Sequence, residues 1–490
     1  MGAKGKILLT GATGYIGGQL APRLRAAGYA VRAMARTLPS AGSYPWQDQV
    51  EWVRADPLRP ETLARALTGI DTAFYFIHSM TGGPGFHDRD LTAARQFGQA
   101  ARATGVERII YVGGLGDDRA DLSEHLRSRH ETGDALREAG IPVTELRAAI
   151  IVGSGSISFE MVRYLTERLP VMICPRWVFT KVQPIAIDDV LAYLLAALET
   201  PATAGQIIEI GGADVMTYGQ MMTRYGQVRG LRRFLIRVPV LTPRLSSYWV
   251  HWVTPIEAAY ARPLIEGLKN EVIVRDDKAH TLMPDIRPVD YETAVRRALD
   301  TLNAEHAEPA VCRLASHDPT LRPSVQRVTR EGMVIEQRHR AVQAPGATVF
   351  RLFAGLGGAR GWLCYNGLWR LRGWIDRILG GPGLRRTRPT RDELREGDIV
   401  DFYRVEHVKT DRLVRYRVEM RLPGEGWLQF AAQPIAEDRS EIILTVFFAP
   451  KGLMGLLYWY SLYPIHCLVF SGMLRHLTRQ AETTAVTHTP

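Results

Sequence analysis

A chain of 490 residues is longer than one hydrophobic core usually grows, so two or three domains are expected. With 46% apolar and 23% charged residues it has the composition of packed globular protein, which excludes extensive disorder and a multi-span membrane protein. The formal charge of +10 comes mostly from arginine spread along the chain, and its one dense run, Arg385, Arg386, Arg388 and Arg391, has no nucleic-acid motif beside it. That run reads as a solvated loop, with phosphate or anionic lipid as the alternative, and nucleic acid is not expected as a partner. Cys174, Cys312, Cys364 and Cys467 lie far apart with no metal-ligand spacing, so no metal is expected. They read as buried thiols, and an N-terminus that enters a strand without a signal-peptide core points to the cytoplasm.

In chain order, short apolar runs at 6–10, 30–35, 50–55, 72–77, 108–112 and 143–146 are separated by helix-length segments. This alternation predicts an α/β doubly wound parallel sheet, with ligands at the carboxyl ends of its strands. The string TGATGYIG at 10–17 follows the first strand and leads into the helix-like QLAPRLRAAG at 19–28. Gly11 allows the tight turn, Gly14 a close approach of the pyrophosphate, and Gly17 close packing of helix on strand. Thr13, Tyr15 and Ile16 complete a turn whose helix N-terminus favours phosphate. The second strand ends VRAMAR at 31–36, with Arg32 and Arg36 where a carboxylate would hold the ribose hydroxyl of NAD. Arg36, or Arg32, is therefore expected on a 2′-phosphate, and NADP(H) is the expected cofactor with NAD(H) as the alternative. Asp56, in the turn Asp56-Pro57-Leu58, is placed at the adenine or, equally, at the N-cap of the next helix.

The glycine spacing, Arg36 and the Asp56-Pro57-Leu58 turn resemble the atypical, NmrA-like branch of the short-chain dehydrogenase/reductase superfamily. Leu146-Arg147, PIAIDDV at 184–190 and Gly211-Gly212 resemble its extended members. The resemblance covers about 5–300 and implies an NAD(P)-binding Rossmann domain over 1–302, with a substrate-side lobe from about 150. It also implies a Tyr-x-x-x-Lys pair on a helix and a serine near the end of the fifth strand. This chain departs from all three: Gly113-Gly114 stands at the serine position, and His125 and Arg129 fill the Tyr and Lys register. His125 can shuttle protons, with Arg129 lowering its pKa. His78 and Ser79, beside the Gly82-Gly83 loop, form a second candidate pair. Surface or capping residues in a non-catalytic protein are the alternative for both.

Residues 303–323, rich in proline and polar residues, are the expected linker to a domain at 324–480, followed by a tail at 481–490. There 333–342, 398–408, 412–420, 427–435 and 441–448 alternate as half-exposed antiparallel strands do, 347–356 is helical, and 453–474 is long and apolar. That order resembles an α+β helix-grip, START-like domain of unknown function. The last segment is long enough to span a bilayer. Its Tyr458, Trp459, Tyr460, Ser461, Tyr463, Pro464, His466 and Ser471 make poor hydrocarbon filler, so a buried helix is expected, with peripheral membrane contact as the alternative. Three functions compete. One is an NADP(H)-dependent oxidoreductase acting on a small apolar molecule; another is a non-catalytic NADP(H) sensor. The third is a carrier of a lipid or hydrophobic ligand through the C-terminal domain.

Overall fold

The computed structural model describes residues 4–40, 43–78, 86–117, 121–238, 253–302, 324–385, 387–389 and 393–487. Contacts divide the chain into two units, Met1–Thr301 and Leu302–Pro490. The expected linker 303–323, together with Ser79, Gly82, Gly83, Cys312, Arg386 and Arg391, lies outside the described residues.

In the first unit the strands are β1 (Lys6–Thr10), β2 (Ala30–Ala35), β3 (Glu51–Arg54), β4 (Thr72–Tyr75), β5 (Arg108–Gly114) and β6 (Val143–Ala148). Short strands β7 (Ile151–Val152), β8 (Val171–Pro175), β9 (Lys181–Val182) and β10 (Ile185–Ala186) precede β11 (Ile207–Ile210), and β12 (Met216–Thr217) and β13 (Phe234–Val238) follow. The main sheet runs β11-β6-β5-β4-β1-β2-β3, every neighbouring pair parallel. This is the doubly wound Rossmann order, centred on β1. Alternate side chains enter opposite layers, which is why the strands read as continuous apolar runs. Ile7, Leu9, Phe74 and Ile110 pack on helices α1 (Tyr15–Ala26) and, further along the chain, Ile187–Glu199, through Leu20, Leu24, Leu191 and Leu194. On the other face Leu8, Tyr75, Ile109 and Tyr111 meet α2 (Pro60–Leu67), α3 (Phe86–Ala103) and α4 (Glu124–Arg137), with Leu63, Phe97 and Leu136 at the contact. Each such large side chain removed from water contributes about 1.5–3 kcal/mol.

One carboxylate lies inside this sheet. Glu145 on β6 is fully buried, its oxygens engaged by Arg147 Nε at 2.8 Å and by Arg137 of α4. A Cβ on Gly113 would come within 2.6 Å of that carboxylate, and one on Gly133 would overlap it. The pieces at 184–190 and 211–212 come together as a brace beyond the sheet. Gly212 N–H donates to Pro184 O at 3.0 Å, and Asp189 accepts from Val289 N–H at 2.9 Å.

The second unit is an antiparallel sheet, β14 (Ser324–Arg330), β15 (Met333–Val342), β16 (Ile399–Val400), β17 (Tyr403–Lys409), β18 (Leu413–Val418), β19 (Gly424–Ala436) and β20 (Arg439–Pro450), ordered β14-β15-β20-β19-β18-β17-β16. Its inner face, with Val334, Leu444, Phe430 and Tyr416, packs against helix Gly346–Ala354 and the C-terminal helix Gly452–Thr487. Phe353 stacks on Phe430 at 5.6 Å, and Phe470, Met473, Leu474 and Leu477 fill the layer from the C-terminal helix.

The structure departs from expectation at four places. β14 and helix Asn366–Ile378 are additional elements. The strand expected over 398–408 is broken at Asp401, which has a φ of 57° and turns its buried carboxylate to Trp362 Nε1 at 2.8 Å and Gly358 N–H at 3.2 Å. The C-terminal helix extends to Thr487 and is long and apolar enough to cross a membrane by length and composition. Only its later turns are core: in the first turns Gly455 and Trp459 are buried, while Leu453, Met454, Leu457, Tyr460, Ile465 and Leu468 are exposed. Cys174 and Cys364 are buried thiols, whereas Cys467 is half-buried.

Candidate functional site

The glycine turn divides its residues by purpose. Gly11 has a φ of 63°, and a Cβ there would lie 2.8 Å from Phe76 O, so the turn itself requires glycine. A Cβ on Gly17 would overlap the Gly11 carbonyl, so close packing of α1 on the turn requires it too. Gly14 differs: it is exposed, its φ of −85° suits any residue, and a Cβ would approach only Gly11 O at 3.1 Å. The fold demands less of Gly14 than of Gly11 or Gly17, and its exposed side is open to a ligand. Gly14 is also the N-cap of α1, with no side-chain cap and no acidic residue in the first turn, so the helix start offers uncompensated positive potential. Tyr15 and Ile16 are half-buried behind the turn, and exposed Thr13 accepts from Tyr44 Oη at 3.3 Å. This donor set fits a pyrophosphate.

On the β2–β3 side, Arg32 is buried and donates to Glu51 Oε1 at 2.9 Å, Ala66 O at 2.8 Å and Thr68 O at 2.9 Å. It ties the end of α2 to the sheet, which removes it as a 2′-phosphate ligand and corrects that alternative. Arg36 is exposed at the mouth, and Arg54 Nε donates to its carbonyl at 3.2 Å. Arg54, also exposed, was missed from the sequence; it pairs in register with Ala35, next to Arg36. Asp56 accepts from Leu58 N–H at 3.1 Å and so closes its own turn, while the N-cap of α2 is Arg59. Leu58 is exposed above that turn.

On the β4–β5 side His78 joins His125 and Arg129 in one cluster. α4 lies against the end of β5 at Gly114, which carries no side chain; a Cβ there would meet Leu126 Cδ2 at 2.9 Å. Tyr111 Oη donates to Arg129 O at 3.0 Å, Arg129 donates to Val112 O, and its guanidinium lies 5.3 Å from the Tyr111 ring centre. The His125 ring is thereby brought to 5.3 Å from that of His78. His78 Nδ1 lies 2.8 Å from buried Asp90 Oδ2, and its buried Nε2 has no hydrogen-bond partner among the described residues. The carboxylate favours the tautomer with the proton on Nδ1, leaving Nε2 as an acceptor. Asp90, on α3, was not found in the sequence because no spacing rule links it to His78.

Burial, then the charges of His78 and Arg129, pushes the His125 pKa down to about 3. Burial and Arg129 also lower that of His78, against the opposing pull of Asp90. Both rings are neutral near pH 7.

Residues 11–164 match a family described as NAD(P)H-binding, and 333–473 match one described as a protein of unknown function (DUF2867). A ceramide reductase of Caulobacter vibrioides is 30% identical over 246 residues, 48% of this chain and 74% of the relative. A (4-alkanoyl-5-oxo-2,5-dihydrofuran-3-yl)methyl phosphate reductase of Streptomyces griseus is 27% identical over 316 residues, 62% of this chain and 98% of its own length. Among solved structures, triphenylmethane reductase of Citrobacter sp. complexed with NADP(H) aligns with 60% of this chain and 99% of its own, at 21% identity and a TM-score of 0.48.

Two outcomes are expected. Gly14→Val abolishes NADPH binding in calorimetry while destabilising the fold by only about 1 kcal/mol, whereas Gly17→Val unfolds the domain; equal behaviour of the two would refute the division of purpose drawn above. The unfolded chain protonates His125 near its ordinary 6.5, the folded chain only at about 3, so stability is complete above that window and is lost as pH falls through it. Urea midpoints should therefore drop on acidification, and less steeply in His125→Gln; parallel curves would show that the ring does not drive the effect.

Proposed function

Through Met1–Thr301 the chain belongs to the NmrA-like, short-chain dehydrogenase/reductase-type family of NAD(P)H-binding Rossmann proteins, and on that footing we propose that it is an NADP(H)-dependent reductase of an apolar carbonyl or quinone. The observation that carries the proposal is the meeting of His78, His125 and Arg129 at the ends of β4 and β5. In a sheet ordered β5-β4-β1-β2, a dinucleotide held at its pyrophosphate by the β1 turn extends one way over β2 and the other way over β4. Arg36, Asp56 and Leu58 occupy the first direction, the histidine cluster the second.

NADPH, when bound, supplies a hydride. The protein's part is to hold and polarise. Gly11, Gly14, Gly17 and the start of α1 receive the pyrophosphate, Arg36 with Arg54 beside it binds the 2′-phosphate, and Leu58 covers the adenine near Asp56. His125, neutral, donates a hydrogen bond to the substrate oxygen. Burial, with Arg129 adding to it, keeps both rings uncharged, and the positive field of Arg129 favours negative charge appearing on that oxygen. His78 holds a proton on Nδ1 against Asp90 and accepts at Nε2, where it can hold a water molecule in the site, and the proton that neutralises the substrate oxygen comes from solvent. Relatives named for reducing ceramide and an alkanoyl-bearing phosphate support a reductive reading with an apolar substrate.

For the second unit we propose a START-like helix grip that receives an apolar ligand between sheet and C-terminal helix. Its inner face is apolar except near the buried Glu336–Arg338 pair, separated by 2.7 Å, where Arg338 also donates to Ser471 Oγ at 2.6 Å. A ligand with one polar end would find its partner there. Binding without turnover, as a sensor or carrier, is the second reading, favoured by the replacement of the usual Tyr-x-x-x-Lys pair.

Two measurements decide. The parent should prefer NADP(H) over NAD(H), and Arg36→Ala should narrow the gap by about 1.5–3 kcal/mol; equal binding of both nucleotides by the parent would remove the role of Arg36. NADPH oxidation with long-chain ketones or quinones should fall about 10²–10⁴-fold in His125→Phe at unchanged NADPH affinity. If the parent binds NADPH and oxidises it with none of these acceptors, the sensor reading stands.

A further inference from the structure

Helix Asn366–Ile378 presents a surface that the reductase reading does not use. Its inner side is firmly held. Asp376 is fully buried and accepts from Gly383 N–H at 2.9 Å and Arg421 N–H at 2.8 Å, while Gly373 lies so close to Leu384 that a Cβ would meet it at 2.7 Å. Arg372 donates to Arg421 O at 3.1 Å, and Leu368 and Trp369 reach the core. The helix is thus presented as a rigid element.

Its outer side is apolar. Leu371, Trp374, Ile375 and Ile378 stand at i, i+3, i+4 and i+7, a single stripe about 100° wide, and are 52%, 62%, 40% and 65% exposed. Leu379, likewise exposed, extends it. A contiguous stripe of this kind calls for a covering partner, since large apolar side chains gathered on one face are unfavourable in water. The surroundings say which. Arg370 and Arg377 are exposed next to the stripe, and Arg385 is exposed just beyond the helix. From Gly355 to Arg391 the sequence holds eight arginines and one carboxylate, Asp376, which the fold buries. Arg388 is taken by Leu356 O and Ala354 O, at 2.7 and 2.8 Å, and belongs to the scaffold. The Arg421–Pro423 segment also meets the C-terminal helix, where Gly455 packs on Pro423 O, so exposed Met454 and Leu457 lie at the same end of the unit.

A helix with leucine, isoleucine and tryptophan on one stripe, arginine along its flank and no exposed carboxylate matches an interfacial helix that lies in the plane of an anionic bilayer. We propose that helix Asn366–Ile378 docks the second unit on an anionic membrane surface. Trp374 and Ile378 enter the boundary between headgroups and acyl chains, while Arg370, Arg377 and Arg385 meet lipid phosphates. This holds whether or not the first unit reduces a substrate.

Co-sedimentation of the full chain with vesicles tests it. The parent should pellet with phosphatidylcholine vesicles containing phosphatidylglycerol, pellet weakly with phosphatidylcholine alone, and lose binding as salt is raised. Trp374→Asp combined with Ile378→Asp, and separately Arg370→Glu combined with Arg377→Glu, should each weaken anionic-vesicle binding roughly tenfold or more at unchanged melting temperature and NADPH affinity. Three results would overturn the proposal. The parent stays in the supernatant; both variants pellet like the parent; or the parent is a dimer that the Trp374 variant dissociates, which would assign the stripe to a second copy of the chain.

Discussion

The candidate site depends on how closely α4 lies over the end of β5. Gly114, which has no side chain, leaves room for Leu126 of that helix, and the approach is fixed by bonds that reach backbone rather than side-chain partners. Tyr111 holds Arg129 O, Arg129 holds Val112 O, and His130 Nε2 lies 2.8 Å from Gly114 O. The absent serine and the imidazole in the tyrosine register are therefore one arrangement. A serine at position 114 would crowd Leu126 on the helix that carries His125. The positive charge of Arg129 is tolerated in this half-buried place by the Tyr111 ring and a carbonyl, and it sets the electrostatic character of everything around it.

In the second unit, buried carboxylates organise an arginine-rich region. Asp401 gathers the indole of Trp362 and the Gly358 N–H, and Asp376 gathers two backbone N–H groups from separate loops. Each satisfies donors that an irregular, glycine-rich stretch would otherwise leave unpaired inside the protein. With the acids turned inward, the outer surface of that stretch is left to arginine.

The sequence made the parallel sheet legible because strands covered on both faces are written as unbroken apolar runs. The runs at 6–10 and 30–35 coincide with the strands themselves. Side-chain alternation was a poorer guide where partners came from afar. β14 reads SVQRVTR, polar enough to pass for the end of a linker, and Asp401 interrupts a strand whose pattern continues on both sides of it. Hydropathy marked 453–474 as apolar but carries no information on which turns the sheet covers, so the exposed first turns came only with the structure. At the site, the glycine turn was readable because its spacing is local. The histidine cluster was half readable: His78 and His125 were each visible, but their adjacency is a property of strand order, and Asp90 is joined to them only through packing.

Glu145 has a consequence for how such a chain can vary. Its carboxylate fills the volume left by Gly113 and Gly133 and neutralises Arg137 and Arg147. A methyl group added at either glycine displaces the carboxylate, and shortening position 145 to make room takes the carboxylate away from buried Arg147 and leaves Arg137 only Asp134 of its two acidic partners. No single substitution at these positions is a small step. The strand end that shapes the site and the ion pairs beneath it can drift only as a set, so divergence of the catalytic corner in this fold is expected to proceed by jumps between compatible combinations.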